Sequence, residues 1–204
     1  MSEAGKTAVP TNLELERLML YEIAEHVSTL DATKKSISDS FRAAIEVLES
    51  GIREGGKLLW FGNGGSAADC QHIAAELVIR YKNDRPAIAA IALTTDTSVL
   101  TACGNDLGFG ALFERQVEAL GRSGDVAIGI STSGKSENVL RGLQKARKMG
   151  LRTLGLAGHN GGEMIELCDV IMVVPSSVTA RVQEMHILIG HMLCKALESR
   201  LGLV

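Results

Sequence analysis

The chain has 204 residues, a hydrophobic content of 46% and a formal net charge of -3. This length allows one well-buried core and is too short for two ordinary domains joined by a linker. Because lysines and arginines are scattered among acidic residues, the composition excludes the basic field of a nucleic-acid-binding protein, and a phosphate ligand would have to be bound by local groups.

Two helices are predicted before the first strand. From Asn12 to about Glu54 the apolar residues recur at helical spacing, with a break predicted near STLDATKK, where Ser, Thr and Asp favour a helix cap. The next segment, KLLWFGNGG, predicts a short buried strand that runs into glycines. The helix after it is predicted at SAADCQHIAAELVIRY.

Strands and helices continue to alternate along the rest of the chain. Apolar strands are predicted at AIAAIAL, DVAIGI, RTLGLAG and DVIMVVP. Helical patterns lie between Asp96 and Leu120, at SENVLRGLQKARKMG, at EMIELC and from about Thr179 to Arg200. These elements predict one α/β domain over 1–204, with a helical segment at about 12–54 and a five-stranded parallel sheet flanked by helices at about 55–204. The loops GNGGS, TTD, STSGKS and SSVTARVQE should meet where the strands end.

Cysteine usage and hydropathy indicate the compartment. The four cysteines are widely separated and form no C-x-x-C pair, which favours reduced thiols in a cytoplasmic protein: Cys70, Cys103, Cys168 and Cys194. The first residues, MSEAGKTAVPTNLE, lack an apolar signal segment, and no run approaches the roughly 18 apolar residues of a membrane span. We expect neither membrane nor nucleic acid as a partner.

The stretch GISTSGKSEN, residues 129–138, matches the phosphate-binding pattern G-x-x-x-x-G-K-[ST]. Yet Gly129 lies inside the apolar run VAIGI, and no predicted strand ends on an aspartate placed to bind magnesium. We therefore interpret STSGKS as a loop whose hydroxyls and backbone amides bind a phosphate monoester at a helix N-terminus. The alternative is that these residues only cap the helix and form the turn.

The glycine loop GNGGS and the helix after it supply further candidates. The loop lacks the G-x-G-x-x-G spacing of a dinucleotide site, but its glycines permit close approach of a ligand to the backbone. His72 and Glu76 stand four residues apart, so they share one face of the predicted helix. This pair could bind a ligand or could be an exposed ion pair.

The last predicted helix carries polar residues within an apolar pattern: Gln183, Glu184, His186 and His191. Gln183 and His191 are roughly 12 Å apart along a helix axis, so they could bind one ion only by leaning together or if a second copy of the chain supplied one of them. We therefore expect a site close to a subunit interface. His186 is predicted to be a surface or interface histidine.

Four segments together resemble the phosphoheptose isomerases of the sugar isomerase (SIS) superfamily, from about residue 12 to the end: GNGGSAADCQHIAAEL, CGNDLGFGALFERQVEALGRSGD, GISTSGKSENV and TARVQEMHILIGH. The resemblance implies a flavodoxin-like three-layer α/β/α fold. It also implies a ketose/aldose isomerase that converts D-sedoheptulose 7-phosphate to D-glycero-D-manno-heptose 7-phosphate, the first step towards activated heptose for lipopolysaccharide. One zinc per subunit and a homotetramer with active sites at subunit interfaces are further implications.

The resemblance implies residue roles position by position. Glu76 and His191 would be the catalytic acid/base pair. The zinc ligands would be His72, Glu76, Gln183 and His191. The substrate-binding residues would be Asn63, Gly64, Gly65, Ser66, Glu76, Asn105, Asp106, Ser131, Thr132, Ser133, Ser136 and Gln183. The family's phosphate loop reads Ser-Thr-Ser-Gly-x-Ser, so Lys135 occupies a variable position. Some members carry an acidic residue where this chain has Ala180, for which we infer no role.

Two other functions share part of this pattern. The first is a non-catalytic SIS protein that binds a sugar phosphate, of the type that associates with the bacterial replication initiator. Such proteins lack the paired glutamate and histidine, so the presence of Glu76 and His191 favours an enzyme. The second is an isomerase of another, shorter sugar phosphate, which would share the phosphate loop.

Overall fold

The computed structural model describes residues 9–204 and begins with two helices, α1 at Asn12–Ser36 and α2 at Ser38–Arg53. Thr11 starts α1 with a capping box: its hydroxyl accepts from the Glu14 amide, and the Glu14 carboxylate accepts from the Thr11 amide. The two predicted N-terminal helices are therefore present. The predicted single domain over 1–204 includes eight residues that lie outside the described residues.

The predicted break between the two helices is wrong in position. Helix α1 continues through the segment STLDATKK, and only Ile37 separates it from α2. Inside α1 the hydroxyl of Thr33 donates to the carbonyl of Thr29 at 2.7 Å, and both threonines are buried. Because a hydroxyl can bond the carbonyl of the preceding turn, these residues continue the helix instead of capping it.

Five parallel strands form one sheet in the order β2-β1-β3-β4-β5. They are Leu58–Gly62 (β1), Ala90–Ala92 (β2), Val126–Ser131 (β3), Arg152–Gly158 (β4) and Val170–Val174 (β5). Every residue of β1 and β3 is buried, as expected for a parallel sheet that is covered on both faces. The direction of winding changes between β1 and β3, which places a crevice at their carboxyl ends. The predicted flavodoxin-like α/β fold is confirmed.

The other helices cover the two faces of the sheet: α3 at Gly65–Val78, α4 at Thr97–Asp106, α5 at Leu112–Leu120, α6 at Glu137–Lys148 and α7 at Thr179–Arg200. Successive residues of β1 point to opposite faces of the sheet. Trp60 packs into the core formed with α2, α3 and α7, and Phe61 packs into the core formed with α5 and α6. Of the segment EMIELC, predicted as a short helix, the first four residues lie in a 3-10 helix at Gly162–Glu166. Within residues 9–204, no helix is long and apolar enough to cross a membrane.

Candidate active site

Two loops meet at the carboxyl ends of β1 and β3. Each contains a glycine with positive φ, 54° at Gly64 and 66° at Gly134, a backbone conformation that favours glycine. Asn63 of the first loop pairs with Asn138 at the start of α6, and each side-chain amide donates to the other's carbonyl oxygen at 2.8 Å. This reciprocal pair holds the two loops together. The sequence analysis missed Asn138, because no spacing pattern relates it to Asn63.

The hydroxyls predicted to bind phosphate gather in the loop after β3. Ser131 Oγ lies 3.0 Å from Ser136 Oγ and 3.5 Å from Ser133 Oγ. Ser136 occupies the N-cap position of α6, but its side chain makes no capping hydrogen bond. The capping alternative therefore does not explain Ser136, whose hydroxyl turns towards Ser131. Lys135 is exposed on the outside of this loop.

Three predicted metal ligands come together between α3 and α7. His72 Nε2 lies 2.9 Å from His191 Nε2 and 3.5 Å from Glu76 Oε1. One ligand atom from each of the three residues lies within 4.8 Å of the others. Glu76 Oε2 is buried and has no hydrogen-bond partner in the part of the chain that the structure describes.

This donor set fits a divalent metal ion. A buried carboxylate oxygen normally accepts a hydrogen bond or binds a metal, so the unpartnered oxygen of Glu76, on a carboxylate that lies next to His72, is consistent with a metal ligand. Zinc binds histidine nitrogen and carboxylate oxygen at about 2 Å, which in a tetrahedron places two ligand atoms about 3.3 Å apart. The separations around His72 are close to that value.

Gln183 contacts the first turn of α3. Its side-chain amide lies directly against Gly65, the first residue of α3, where a Cβ would collide with it. His72 follows Gly65 by seven residues, or about 10 Å of helix. Helices α3 and α7 run in the same direction, because Gly190 packs against Ile73 further along both helices. Gln183 therefore contacts the glycine loop, and its role as a metal ligand stays a prediction.

The other predicted substrate contacts differ in exposure. Gly64 and Gly65 are exposed at the crevice, whereas Ser66 is buried behind them. Asn105 and Asp106 end α4 and are exposed, and the Asn105 amide donates to Asp106 Oδ1 at 2.7 Å. Both residues are free to contact a ligand, although the structure does not join them to the other predicted site residues.

His186 corrects an expectation. It is 1% exposed and lies on the face of α7 that packs against the sheet, so it is not a surface or interface histidine. Burial lowers its pKa to about 4, an effect partly opposed by the nearby backbone of Ala157. The positions four residues before and three residues after it, Val182 and Ile189, are apolar core positions, which is the helical spacing of one buried stripe.

Tyr81 is a site neighbour that the sequence analysis missed. Its ring stacks on the His191 imidazole with centroids 5.5 Å apart and an interplanar angle of 27°. The His72 ring meets His191 edge-on at 5.0 Å. The imidazole of His191 is thus in contact with two rings: it stacks on the face of Tyr81 and meets the ring of His72 edge-on.

Comparisons with known proteins agree with this architecture. A family model described as the SIS domain matches residues 23–158. A phosphoheptose isomerase of Paramagnetospirillum magneticum is 58% identical over 178 residues, which cover 87% of this chain and 93% of that protein. The structure of phosphoheptose isomerase GmhA from Neisseria gonorrhoeae matches with a TM-score of 0.86 and 41% identity, covering 91% of this chain and 99% of that chain. A phosphoheptose isomerase from Francisella tularensis matches with a TM-score of 0.86 and 34% identity, covering 91% and 98%.

Proposed function

Since the chain belongs to the phosphoheptose isomerase family of SIS-domain proteins, we propose that it converts D-sedoheptulose 7-phosphate to D-glycero-D-manno-heptose 7-phosphate, the entry to activated heptose. The observation that carries this proposal is the meeting of Glu76 with His72 and His191. It supplies a carboxylate and an imidazole side by side, which a protein that only bound sugar phosphate would not need. We also propose that residues 1–204 act as one SIS domain.

The reaction consists of proton transfers. A ketose becomes an aldose when a proton leaves the carbon next to the carbonyl, an enediol forms, and a proton returns to the neighbouring carbon. Glu76 supplies the carboxylate for these transfers, and His191 supplies the imidazole as the second acid/base group. Zinc, one per subunit, would be held by His72, Glu76 and His191 with Gln183 as the fourth predicted ligand, and as a Lewis acid it would polarise the sugar carbonyl.

The substrate phosphate is proposed to bind in the loop after β3, at Ser131, Thr132, Ser133 and Ser136. The close approach of the Ser131 and Ser136 hydroxyls supports this role, as does the free N-terminus of α6. The sugar would lie along the glycine loop and contact Asn63, Gly64, Gly65, Ser66, Glu76, Asn105, Asp106 and Gln183. For Asn63 the side chain is engaged by Asn138, which favours a backbone contact.

Assembly into a homotetramer with active sites at subunit interfaces is part of the proposal. Helix α1 exposes a series of apolar side chains, each about half exposed in a single copy: Leu13, Leu15, Leu18, Met19, Leu20, Tyr21, Ile23 and Val27. A helix with this many exposed apolar side chains is typical of a contact with another protein. The four free cysteines support a reducing compartment, which we propose is the cytoplasm.

An assay in D2O tests the function directly. Zinc-loaded protein incubated with D-sedoheptulose 7-phosphate should form the aldoheptose phosphate with deuterium at C2, because the enediol takes its new proton from a group that exchanges with solvent. Turnover of a pentose phosphate alone would assign a shorter substrate. Binding of sugar phosphates without turnover of any would instead support the non-catalytic SIS function.

Replacement of Lys135 by Ala separates the proposed loop from a nucleotide-binding P-loop. We expect kcat/KM to change by less than about threefold, because an exposed substitution usually alters free energies by about 0.5 kcal/mol or less. A P-loop lysine contacts the phosphates directly, so its replacement would lower kcat/KM far more. The matched variant Ser136→Ala should raise KM about 10-fold, the usual effect of losing a hydrogen bond to a charged group. The reverse order of effects would contradict the assignment.

A further inference from the structure

Arg85 lies in the segment between α3 and β2, and its side chain is 0% exposed. The guanidinium donates to the carbonyl of Glu76 at 2.7 Å and to the carbonyl of Leu77 at 2.6 Å. Both carbonyls belong to the last turn of α3, where carbonyl oxygens have no N–H donors within the helix. A cation at this end is also favoured by the helix dipole. Arg85 therefore binds the backbone of the residue that supplies the carboxylate.

Glu198 of α7 completes the arrangement. Its side chain is 2% exposed and accepts from Arg85 Nε at 2.8 Å. The same Oε1 atom accepts from the Tyr81 amide at 3.4 Å, and the Tyr81 ring stacks on His191. One buried ion pair is thus connected to Glu76 through Arg85 and to His191 through Tyr81.

We propose that Arg85 and Glu198 are positioning residues of the His72–Glu76–His191 cluster. Arg85 fixes the end of α3 relative to α7, and Glu198 sets the place of Tyr81 against the His191 ring. Removing a group that hydrogen-bonds to a metal ligand and orients it commonly lowers metal affinity by about 10- to 100-fold. The role rests on the proposed function, because it takes this cluster to be the metal and proton-transfer site.

A double variant distinguishes positioning from simple stabilisation. Removing one partner alone would leave a buried charge, so Arg85→Met by itself is expected to fold poorly. A buried ion pair can often be replaced by apolar residues of similar volume without loss of stability. We therefore expect Arg85→Met/Glu198→Leu to fold, with a urea midpoint above that of Arg85→Met alone, because it leaves no buried charge unpaired. Its Zn²⁺ affinity, measured by competition with a chromogenic chelator, should fall about 10- to 100-fold.

Two further variants sharpen the comparison. Arg85→Lys keeps the charge next to Glu198 but lacks the planar fork that reaches two carbonyls and a carboxylate, so its Zn²⁺ affinity should also fall. The control Lys57→Met breaks another partly buried ion pair, with Asp125 at 2.6 Å, and should lower stability without changing Zn²⁺ affinity. A folded double variant with unmodified Zn²⁺ affinity would overturn the positioning role.

A metal-free measurement keeps this inference separate from the proposed function. In histidine-labelled protein without zinc, the Cε1–H NMR signals of His72 and His191 should shift in the double variant, while that of the exposed His159 stays in place. If the unmodified protein bound no zinc, the proposed metal site would be refuted. The NMR signals would still show whether Arg85 and Glu198 position the two histidines. If they coincide with those of the unmodified chain, Arg85 and Glu198 do not position the cluster.

Discussion

Replacing Glu76 by Gln is expected to lower kcat for D-sedoheptulose 7-phosphate by about 10²- to 10⁴-fold, the usual range for loss of a general acid or base. Glutamine has nearly the same volume but cannot accept a proton at neutral pH. KM should change less than kcat, because the phosphate loop follows β3 and keeps its contacts in the variant. Steady-state kinetics and deuterium incorporation at C2 should both show the loss.

Metal content separates the two roles proposed for Glu76. A variant that is inactive with zinc still bound has lost the proton-transfer group, whereas an inactive variant without zinc has lost a ligand. The control Glu166→Gln changes an exposed carboxylate on the 3-10 helix and should leave kcat unaltered. Unaltered kcat in Glu76→Gln would refute the assignment of this residue to catalysis.

Acidification is expected to destabilise the fold through His186. Its pKa is about 4 in the folded chain, below the ordinary 6.5, because burial disfavours the imidazolium. Between these two values the unfolded chain binds more protons than the folded one. The contribution of His186 is therefore fully present above pH 6.5 and is lost as the pH falls towards 4. The loss amounts to on the order of 3 kcal/mol.

Urea unfolding at a series of pH values measures this effect. His186→Met removes the titrating group, so its free energy of unfolding should depend less on pH between 6.5 and 4 than that of the unmodified chain. The comparison uses the slope, so a uniform loss of stability in the variant does not disturb it. His159→Gln changes an exposed histidine and should retain the original slope. Equal slopes in all three proteins would show that His186 is not the group responsible.

The strands were predictable because buried parallel strands are short continuous apolar runs, which is what LLWFG and VAIGIS are. The end of α1 was not predictable from the sequence, because a threonine can either cap a helix or donate to a carbonyl within it. Only tertiary burial decides which of these two roles the threonine takes. For His186 a signal existed: it shares the helical stripe of Val182 and Ile189, and that pattern outweighs its polarity.

The candidate site was predictable only in part. The spacing of His72 and Glu76 on one helix indicated a shared face, and the structure adds His191 to it. The contacts of Asn138 with Asn63, of Tyr81 with His191 and of Arg85 with Glu198 join positions 75, 110 and 113 residues apart. Spacing patterns carry no information about contacts of this range. The contact between Gln183 and Gly65 is also between residues far apart in the sequence and could not be predicted from spacing.

The pairing of Asn63 with Asn138 also affects the chemical stability of the protein. Asn63 is followed by Gly64, and an asparagine before glycine is the sequence most prone to spontaneous deamidation, because glycine leaves its own amide nitrogen unshielded for attack on the side chain. That reaction needs the side chain to turn freely, and Asn138 restrains it with two hydrogen bonds. The glycine with the positive φ thus makes Asn63 prone to deamidation, and we expect its pairing with Asn138, 75 positions away, to slow that reaction.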